Sequence, residues 1–206
     1  MPTAADGPVR ARRGRPPKLT RDAVLDAAVE LGLTTFTVAQ LAARLGVSEG
    51  ALYRHVRSTN DIVAGVCSRL LAAVDTTVDE EPTWLDYLER VCAQLRAAAL
   101  ATPGFATWLA AGEYGEGDLA VFDAILDGMT GRAPDLERST AYLIGSQAVA
   151  CTAGLVVSGF AGAVPDGEPT AADLDDQFAW MLRSLLRGMA DNLADGIPPP
   201  RHHPLS

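Results

Sequence analysis

Two short helices joined by a tight turn are predicted within residues 37–57, TVAQLAARLGVSEGALYRHVR. Thr37 and Gln40 have the spacing of a capping box, which places the start of the first helix at Thr37. An apolar stripe with helical spacing follows it, formed by Val38, Leu41, Ala42 and Leu45. Gly46 ends this helix, because glycine adopts the left-handed conformation of such a stop without steric cost. A hairpin of this kind can place its second helix in the DNA major groove.

The second helix begins after Ser48, which caps it, while Val47 is predicted to be buried in the turn. Its inner face is assigned to Ala51, Leu52 and Val56. A helix this short does not persist alone, so it must pack on its neighbours. Its other face then offers polar side chains to a partner, at Ser48, Glu49, Gly50, Tyr53, Arg54 and His55. The alternative is an ordinary helical hairpin whose charged face is only solvated.

The distribution of charge favours a polyanionic partner. Residues 10–21, RARRGRPPKLTR, contain six basic side chains and no acidic one. Residues 1–60 hold nine Lys or Arg against five Asp or Glu, whereas residues 61–206 hold eight against twenty-one. An acidic chain with one basic end concentrates its positive charge where DNA would dock. The acidic remainder repels DNA and so helps to orient the molecule.

Residues 19–66 resemble the DNA-binding domain of the TetR family of bacterial repressors. The most specific matches are Thr37, the Leu45-Gly46-Val47-Ser48 turn, and Ala51-Leu52-Tyr53 followed by His55. The resemblance implies an all-α protein whose helix-turn-helix head joins a larger helical domain for effector binding and dimerisation. The expected division is a flexible basic arm at 1–18, the head at 19–66, the larger domain at 67–194 and a disordered tail at 195–206.

The resemblance also implies roles for single residues. Thr37 would contact a phosphate from the N-terminus of its helix. The base-reading positions are Ser48, Glu49, Gly50 and Ala51. Tyr53 and His55 match the family's backbone-contacting pair, and Arg54 faces the same groove. Many members carry lysine at the start of the fourth helix, where this chain has Thr59. That phosphate anchor is then either missing or replaced by Arg57.

A second DNA contact is predicted in the basic arm. Arg13-Gly14-Arg15-Pro16 resembles the core of an AT-hook, an extended segment that lies in a narrow A·T minor groove. Proline keeps the segment extended, and arginine is attracted to the negative potential of that groove. The alternative is a solvated arm that contributes only nonspecific attraction.

The remainder of the chain also reads as helical, and no stretch alternates convincingly with a period of two. Thr20 and Gly32 bound the first helix, and Ser58 with Asp61 opens a fourth helix over about 59–77. Later helices are expected at about 83–100, 103–113, 118–130, 139–163 and 171–193.

Residues 139–165 contain no charged side chain, which raises the alternative of a membrane span. Their flanks show no strong positive bias, so a buried helix is favoured. Ala150, Gly154 and Ser158 recur every four residues and form a smooth strip for close approach of another helix. The resemblance implies a homodimer formed through the helices at about 139–163 and 171–193, without a membrane partner.

Catalysis finds little support in the sequence. The histidines are His55, His202 and His203, which form no nucleophile–base arrangement without taking His55 from the reading face. The cysteines, Cys67, Cys92 and Cys151, are widely spaced and form no metal motif. We therefore expect a cytoplasmic protein with no cofactor or metal that is not an enzyme, and a redox role of Cys151 stays open.

The larger domain is expected to hold a pocket for a small hydrophobic effector between residues 80 and 160. Ligand sites are apolar hollows with a few polar groups. The candidate lining residues are Trp84, Tyr87, Trp108, Glu113, Phe122 and Gln147. An acidic group beside aromatic rings would suit a cationic ligand. The alternatives are that these residues are only core, in an architectural DNA-binding dimer without effector, or that the chain is an all-α enzyme.

Overall fold

The computed structural model describes residues 19–77, 81–159 and 170–197. Within these ranges the chain forms nine helices and no strand, which confirms the predicted all-α class. The helices are α1 (Arg21–Leu31), α2 (Val38–Leu45), α3 (Glu49–Leu52), α4 (Thr59–Ala72), α5 (Trp84–Ala101), α6 (Phe105–Ala111), α7 (Glu116–Arg132), α8 (Arg138–Val157) and α9 (Ala171–Ala194).

Helices α1 to α3 form a compact head whose ends are set by local signals. The Thr20 hydroxyl accepts the N–H of Ala23 at 3.2 Å and so caps α1. Gly32 ends α1 with φ of 89°, which is a conformation that favours glycine. The centre of the head is made of fully buried side chains, among them Val24, Ala28, Leu41 and Leu52.

Helix α4 joins the head to the second domain and is shorter than the sequence predicted. The Ser58 hydroxyl accepts the N–H of Asp61 at 3.1 Å, so the predicted start is confirmed. The helix ends at Ala72, and the predicted end at Thr77 is wrong. The carboxylate of Asp75 accepts both the N–H and the hydroxyl of Thr77, at 2.9 and 2.8 Å. This local turn competes with continuation of the helix.

Helix α8 is the central helix of the second domain and packs against α5, α6, α7 and α9. By length and composition it could cross a membrane, with a mean hydropathy of 1.5. However, one of its faces is buried in the protein core, as expected for a core helix. The buried residues are Thr140, Ala141, Ile144, Gly145, Ala148, Val149, Thr152 and Ala153.

The last two helices, α8 and α9, match the sequence-based prediction to different degrees. The helix predicted at about 139–163 ends at Val157, and residues 160–169 lie outside the described ranges. The last helix begins where predicted, because the Thr170 and Asp173 side chains form the expected capping box. Phe178, Leu182 and Leu186 of α9 are buried against the rest of the domain.

Candidate nucleic-acid interface and ligand cavity

Helix α2, the second helix of the head, begins at a well-defined residue. The N–H of Thr37 donates to the Gln40 side-chain oxygen at 2.9 Å, and the N–H of Gln40 donates to the Thr37 hydroxyl at 3.2 Å. The predicted capping box is therefore confirmed. Thr37 is exposed at this helix start, where unpaired N–H groups and the helix dipole suit a phosphate.

The turn between α2 and α3 has the predicted geometry. Gly46 is left-handed, with φ of 66° and ψ of 32°, and Ser48 accepts the N–H of Ala51 at 3.3 Å. Leu52 is fully buried and Val56 is 3% exposed, so they anchor α3 and the turn that follows it. Val47 and Ala51 are only half-buried, which corrects the sequence-based expectation that both are inner residues. Helix α3 is only one turn long, so few of its residues can face the core.

The outward side of α3 and its following turn is polar and open to solvent. Tyr53 is 50% exposed despite its large ring, and His55 is half-buried beside it. The other exposed residues on this side are Ser48, Glu49, Gly50, Arg54 and Arg57. The predicted base-reading and backbone-contacting residues thus lie together on one surface, except that Ala51 is partly covered.

An ion pair holds this surface against the base of α4. The Asp61 carboxylate accepts the backbone N–H of Arg57 at 2.8 Å and pairs with the guanidinium of Arg21 at 2.9 Å. The hydrogen bond from Arg21, aided by that from Arg57, lowers the pKa of Asp61 to about 2. Arg21 also donates to the carbonyl oxygen of His55 at 3.4 Å. The backbone around His55 and Arg57 is therefore fixed, while the Arg57 side chain stays exposed.

The remaining positions considered in the sequence are Thr59, Arg13 and Arg15. Thr59 is exposed as the first residue of α4 and carries no charge. Arg13 and Arg15 of the predicted AT-hook lie outside the described residues.

A cavity of about 260 Å³ lies between α6, α7 and α8. Its wall is mostly aliphatic and aromatic, with hydroxyl groups as its polar side chains. The lining residues are Leu109, Ala110, Gly112, Tyr114, Leu119, Phe122, Ile125, Leu126, Tyr142, Gly145, Ser146, Val149 and Ala150. None of these thirteen side chains is charged, so the cavity suits an apolar molecule.

Of the six residues predicted to line a pocket, Phe122 lines this cavity. Trp108 lies behind the wall and packs edge-on against Tyr114, with ring centroids 5.3 Å apart. Tyr87 is fully buried elsewhere, and its hydroxyl donates to the Thr76 carbonyl at 3.2 Å. The other three also lie outside the wall: Trp84 is half-buried, and Glu113 and Gln147 are exposed.

Tyr114 and Tyr142 belong to the aromatic residues of this domain that the sequence offers for a pocket, but they were not among the six candidates. Tyr114 follows the left-handed turn at Gly112, whose φ is 72°. The ring centroids of Tyr114 and Phe122 are 4.7 Å apart. Tyr142 reaches the same cavity from α8. The aromatic residue types were a usable signal, but their convergence depends on how three helices pack.

Two of the three cysteines, Cys67 and Cys92, are buried core residues. Burial raises the pKa of the Cys67 thiol and that of the Cys92 thiol to about 12. Burial also raises the pKa of Cys151, which is half-buried on α8. Thiols with raised pKa values stay protonated near neutral pH and are poor nucleophiles.

Comparison with known proteins agrees with this geometry. Residues 24–66 match the family described as "Bacterial regulatory proteins, tetR family". A curated HTH-type transcriptional regulator of Saccharopolyspora erythraea is 32% identical over 99 residues, which cover 46% of this chain. The chain spans 40% of the length of that relative.

Solved structures share the fold along most of the chain. A TetR variant from Acinetobacter baumannii AYE, in complex with minocycline, is 23% identical with a TM-score of 0.71. That match covers 90% of this chain and 100% of the other. BioQ with its double-stranded DNA operator is 20% identical with a TM-score of 0.60, covering 84% and 99% of the two chains.

The matched residues 24–66 contain α2, the Gly46 turn and α3, so the family match falls on the exposed polar surface described above. The N-terminal helix-turn-helix domain therefore matches the tetR family, and the described helices share the fold of the TetR structures.

Proposed function

We propose that this protein is a one-component transcriptional repressor that binds a palindromic operator as a homodimer. The observation that carries the proposal is the polar surface around Tyr53, fixed in place by buried Leu52 and Val56. A reading helix needs a rigid support and an open polar face, and this surface has both. BioQ, a protein of the same fold, is solved with its operator.

Different residues of this surface would contact the DNA bases and the DNA backbone. Glu49 offers a carboxylate that could accept from the N4 amino group of cytosine. Gly50 has open space around it, so it permits close approach of a base edge. Tyr53, His55 and Arg54 would contact the backbone together with Arg57, and the N-terminus of α2 at Thr37 would bind a phosphate. Arg13 and Arg15 would add a minor-groove contact.

Dimerisation is proposed through α8 and α9, on the faces that the described residues leave open. These faces carry three large apolar side chains with high exposure: Trp180 at 71%, Val157 at 56% and Tyr142 at 51%. At Gly154, close to Val157, a Cβ would meet no heavy atom within 4 Å, so another helix could approach closely there. Large apolar side chains exposed on two packed helices suit an interface with a second copy.

Release by a small hydrophobic ligand is proposed to start from the cavity between α6, α7 and α8. The start of α6 touches the reading head directly, since a Cβ on Gly104 would lie 3.0 Å from Cγ2 of Thr34. A ligand that displaces α6 would therefore also displace the α1–α2 loop and α4. The A. baumannii TetR variant of this fold is solved with minocycline.

Selection of bound fragments from random DNA tests this proposal. A palindrome with half-sites about one helical turn apart, released by cavity ligands, is the expected result. Salt-sensitive binding without a motif would instead favour an architectural dimer without effector. No DNA binding at all would refute the proposal and return an all-α enzyme to consideration.

A further inference from the structure

We propose that the cavity between α6, α7 and α8 selects an uncharged ligand about the size of two fused rings. This inference rests on the proposed effector-binding function and specifies the chemical class of the effector. The volume of about 260 Å³ exceeds the roughly 150 Å³ of a dry cavity that accepts benzene. The space therefore fits a bicyclic ring system and also has room for a short substituent or a hydroxyl group.

The wall offers no partner to an ionised group. Among the described residues, no acidic, basic or histidine side chain lines the cavity. An unpaired charge moved from water into such surroundings loses its hydration without compensation. The sequence-based expectation of a cationic ligand relied on an acidic group beside aromatic rings, but Glu113 is exposed and does not line the cavity.

The buried carboxylate of Asp118 on α7 does not line the cavity. Asp118 is 6% exposed and accepts the backbone N–H of Gly115 at 2.8 Å, as part of the start of α7. Burial and, secondarily, the charge of Asp118 raise the pKa of Tyr114, so this wall disfavours additional negative charge. Because Asp118 serves the helix start, it does not supply a counter-ion for a cation in the cavity.

The polar atoms of the wall favour a ligand that donates a hydrogen bond. The Ser146 hydroxyl donates to the Leu143 carbonyl at 3.0 Å, and the Tyr114 hydroxyl donates to the carbonyl of Leu109. With these protons engaged, the hydroxyl oxygens retain lone pairs that accept. A hydroxyl group on an otherwise apolar ligand therefore finds an acceptor at Ser146 or Tyr114, whereas neither of these two hydroxyls has its proton free for a carboxylate.

The mouth of the cavity strengthens the selection against charge. Tyr142, Ser146 and Ala150 form its rim on α8, and all three are exposed. They lie on the open face proposed to meet a second copy, which would cover the mouth. A covered ligand is removed further from water, and the cost of an unpaired charge rises accordingly.

Calorimetric titration of the full-length protein with three probes of one size tests the inference. The probes are 1-naphthalenemethanol, which is neutral, 1-naphthoate, which is anionic, and 1-naphthylmethylammonium, which is cationic. We expect the neutral probe to bind at least about 10-fold more tightly than either ion, since an unpaired charge is costly to bury. Equal or tighter binding of an ion, or binding of none of the three, would overturn the inference.

Two matched pairs of variants locate the binding. Ala110 lines the cavity and Ala111 does not, although both are exposed at the end of α6. Ala110→Phe should abolish binding of the neutral probe, and Ala111→Phe should leave it unchanged. Leu119→Arg places a cation at the rim and should strengthen naphthoate binding about 10-fold relative to Ala120→Arg, which changes a non-lining residue. Loss from both alanine variants, or no gain from Leu119→Arg, would contradict the assigned site.

These titrations contain no DNA, so they test the ligand class alone, and an operator titration with and without each probe tests the regulatory role. Tight neutral binding that leaves operator affinity unchanged supports this inference and contradicts ligand-driven release. Release of the operator by a charged probe overturns this inference and supports ligand-driven release.

Discussion

Arg21 and Asp61 join the first helix to the fourth through a two-point ion pair. Nη1 of Arg21 lies 2.9 Å from Oδ2 of Asp61, and Nη2 lies 2.9 Å from Oδ1. The guanidinium crosses α4 at Gly65, where a Cβ would lie only 2.9 Å from Nη2 of Arg21. Asp61 also accepts a hydrogen bond from the backbone N–H of Arg57. The ion pair therefore connects α1 and α4 with the turn that follows α3.

Asp61→Asn should lower the free energy of unfolding by about 1–2 kcal/mol at pH 7, allowing for partial solvent screening. The pKa of Asp61 is lowered from 3.8 to about 2, chiefly by the hydrogen bond from Arg21. Its stabilising contribution is therefore fully present above pH 4 and is lost as the pH falls toward 2. Urea unfolding followed by circular dichroism at pH 7, 5 and 3 measures this difference.

Asp26→Asn is the matched control for that measurement. Asp26 pairs with Arg69 at 2.7 Å, but both side chains are about half exposed, at 59% and 49%. Exposed pairs contribute little, so we expect a change of less than about 0.5 kcal/mol. Equal effects of the two substitutions, or a pH-independent effect of Asp61→Asn, would contradict a special role of the Arg21–Asp61 pair.

Gly128→Ala should destabilise the second domain, although alanine is the better helix former. A Cβ on Gly128 would lie 2.3 Å from Cζ of Tyr87, whose fully buried ring has a guanidinium carbon of Arg132 4.4 Å from its centroid. Overpacking of about 2 kcal/mol should exceed the roughly 1 kcal/mol gained in helix propensity. Gly131→Ala, with open space in the same helix, should instead be stabilising by about 0.5–1 kcal/mol. Thermal unfolding of both variants checks the opposite signs.

Gly154→Glu should convert the proposed dimer to a monomer without unfolding the chain. Gly154 is exposed on α8 and its Cβ position is open, so the substitution leaves the fold of one chain intact. Across the proposed two-fold interface it would bring together two like charges away from water. Light scattering after size exclusion measures the mass, with Gly117→Glu on α7 as the control. A dimer that persists in the Gly154 variant would exclude this face as the interface.

Deletion of residues 1–18 should weaken operator binding and flatten its dependence on salt. The deleted segment carries Arg10, Arg12, Arg13, Arg15 and Lys18. Each DNA phosphate that the arm no longer neutralises lowers the slope of log K against log salt by about 0.9. Fluorescence anisotropy at several salt concentrations gives this slope. If the slope is unchanged, the arm binds no phosphate.

The reading head was predictable because its signals are local in sequence. Thr20, Thr37 and Ser48 cap helices through residues three positions away, and Gly46 ends α2 through its own backbone. A single sequence displays such pairs directly. The helix boundary missed after the head, at Ala72, depends on the turn that the Asp75 side chain forms with Thr77.

The cavity was not predictable to the same degree because its wall comes from three helices. Tyr87 and Phe122 look alike in sequence, yet only Phe122 lines the cavity. Tyr87 turns the other way because Gly128, 41 residues later, leaves room for its ring. Such pairings depend on how α5 and α7 pack, and aromatic composition alone does not encode them.

Operator titration of the wild-type protein and of the Tyr53→Ala/His55→Ala double variant tests the central claim most directly. Both side chains lie on the surface next to α3, and Leu52 and Val56 keep that surface in place without them. We expect affinity to fall at least about 10-fold for every DNA sequence while circular dichroism stays unchanged, because two side chains that bind the DNA backbone are removed. Unchanged affinity of the folded double variant would contradict the assignment of this surface to DNA.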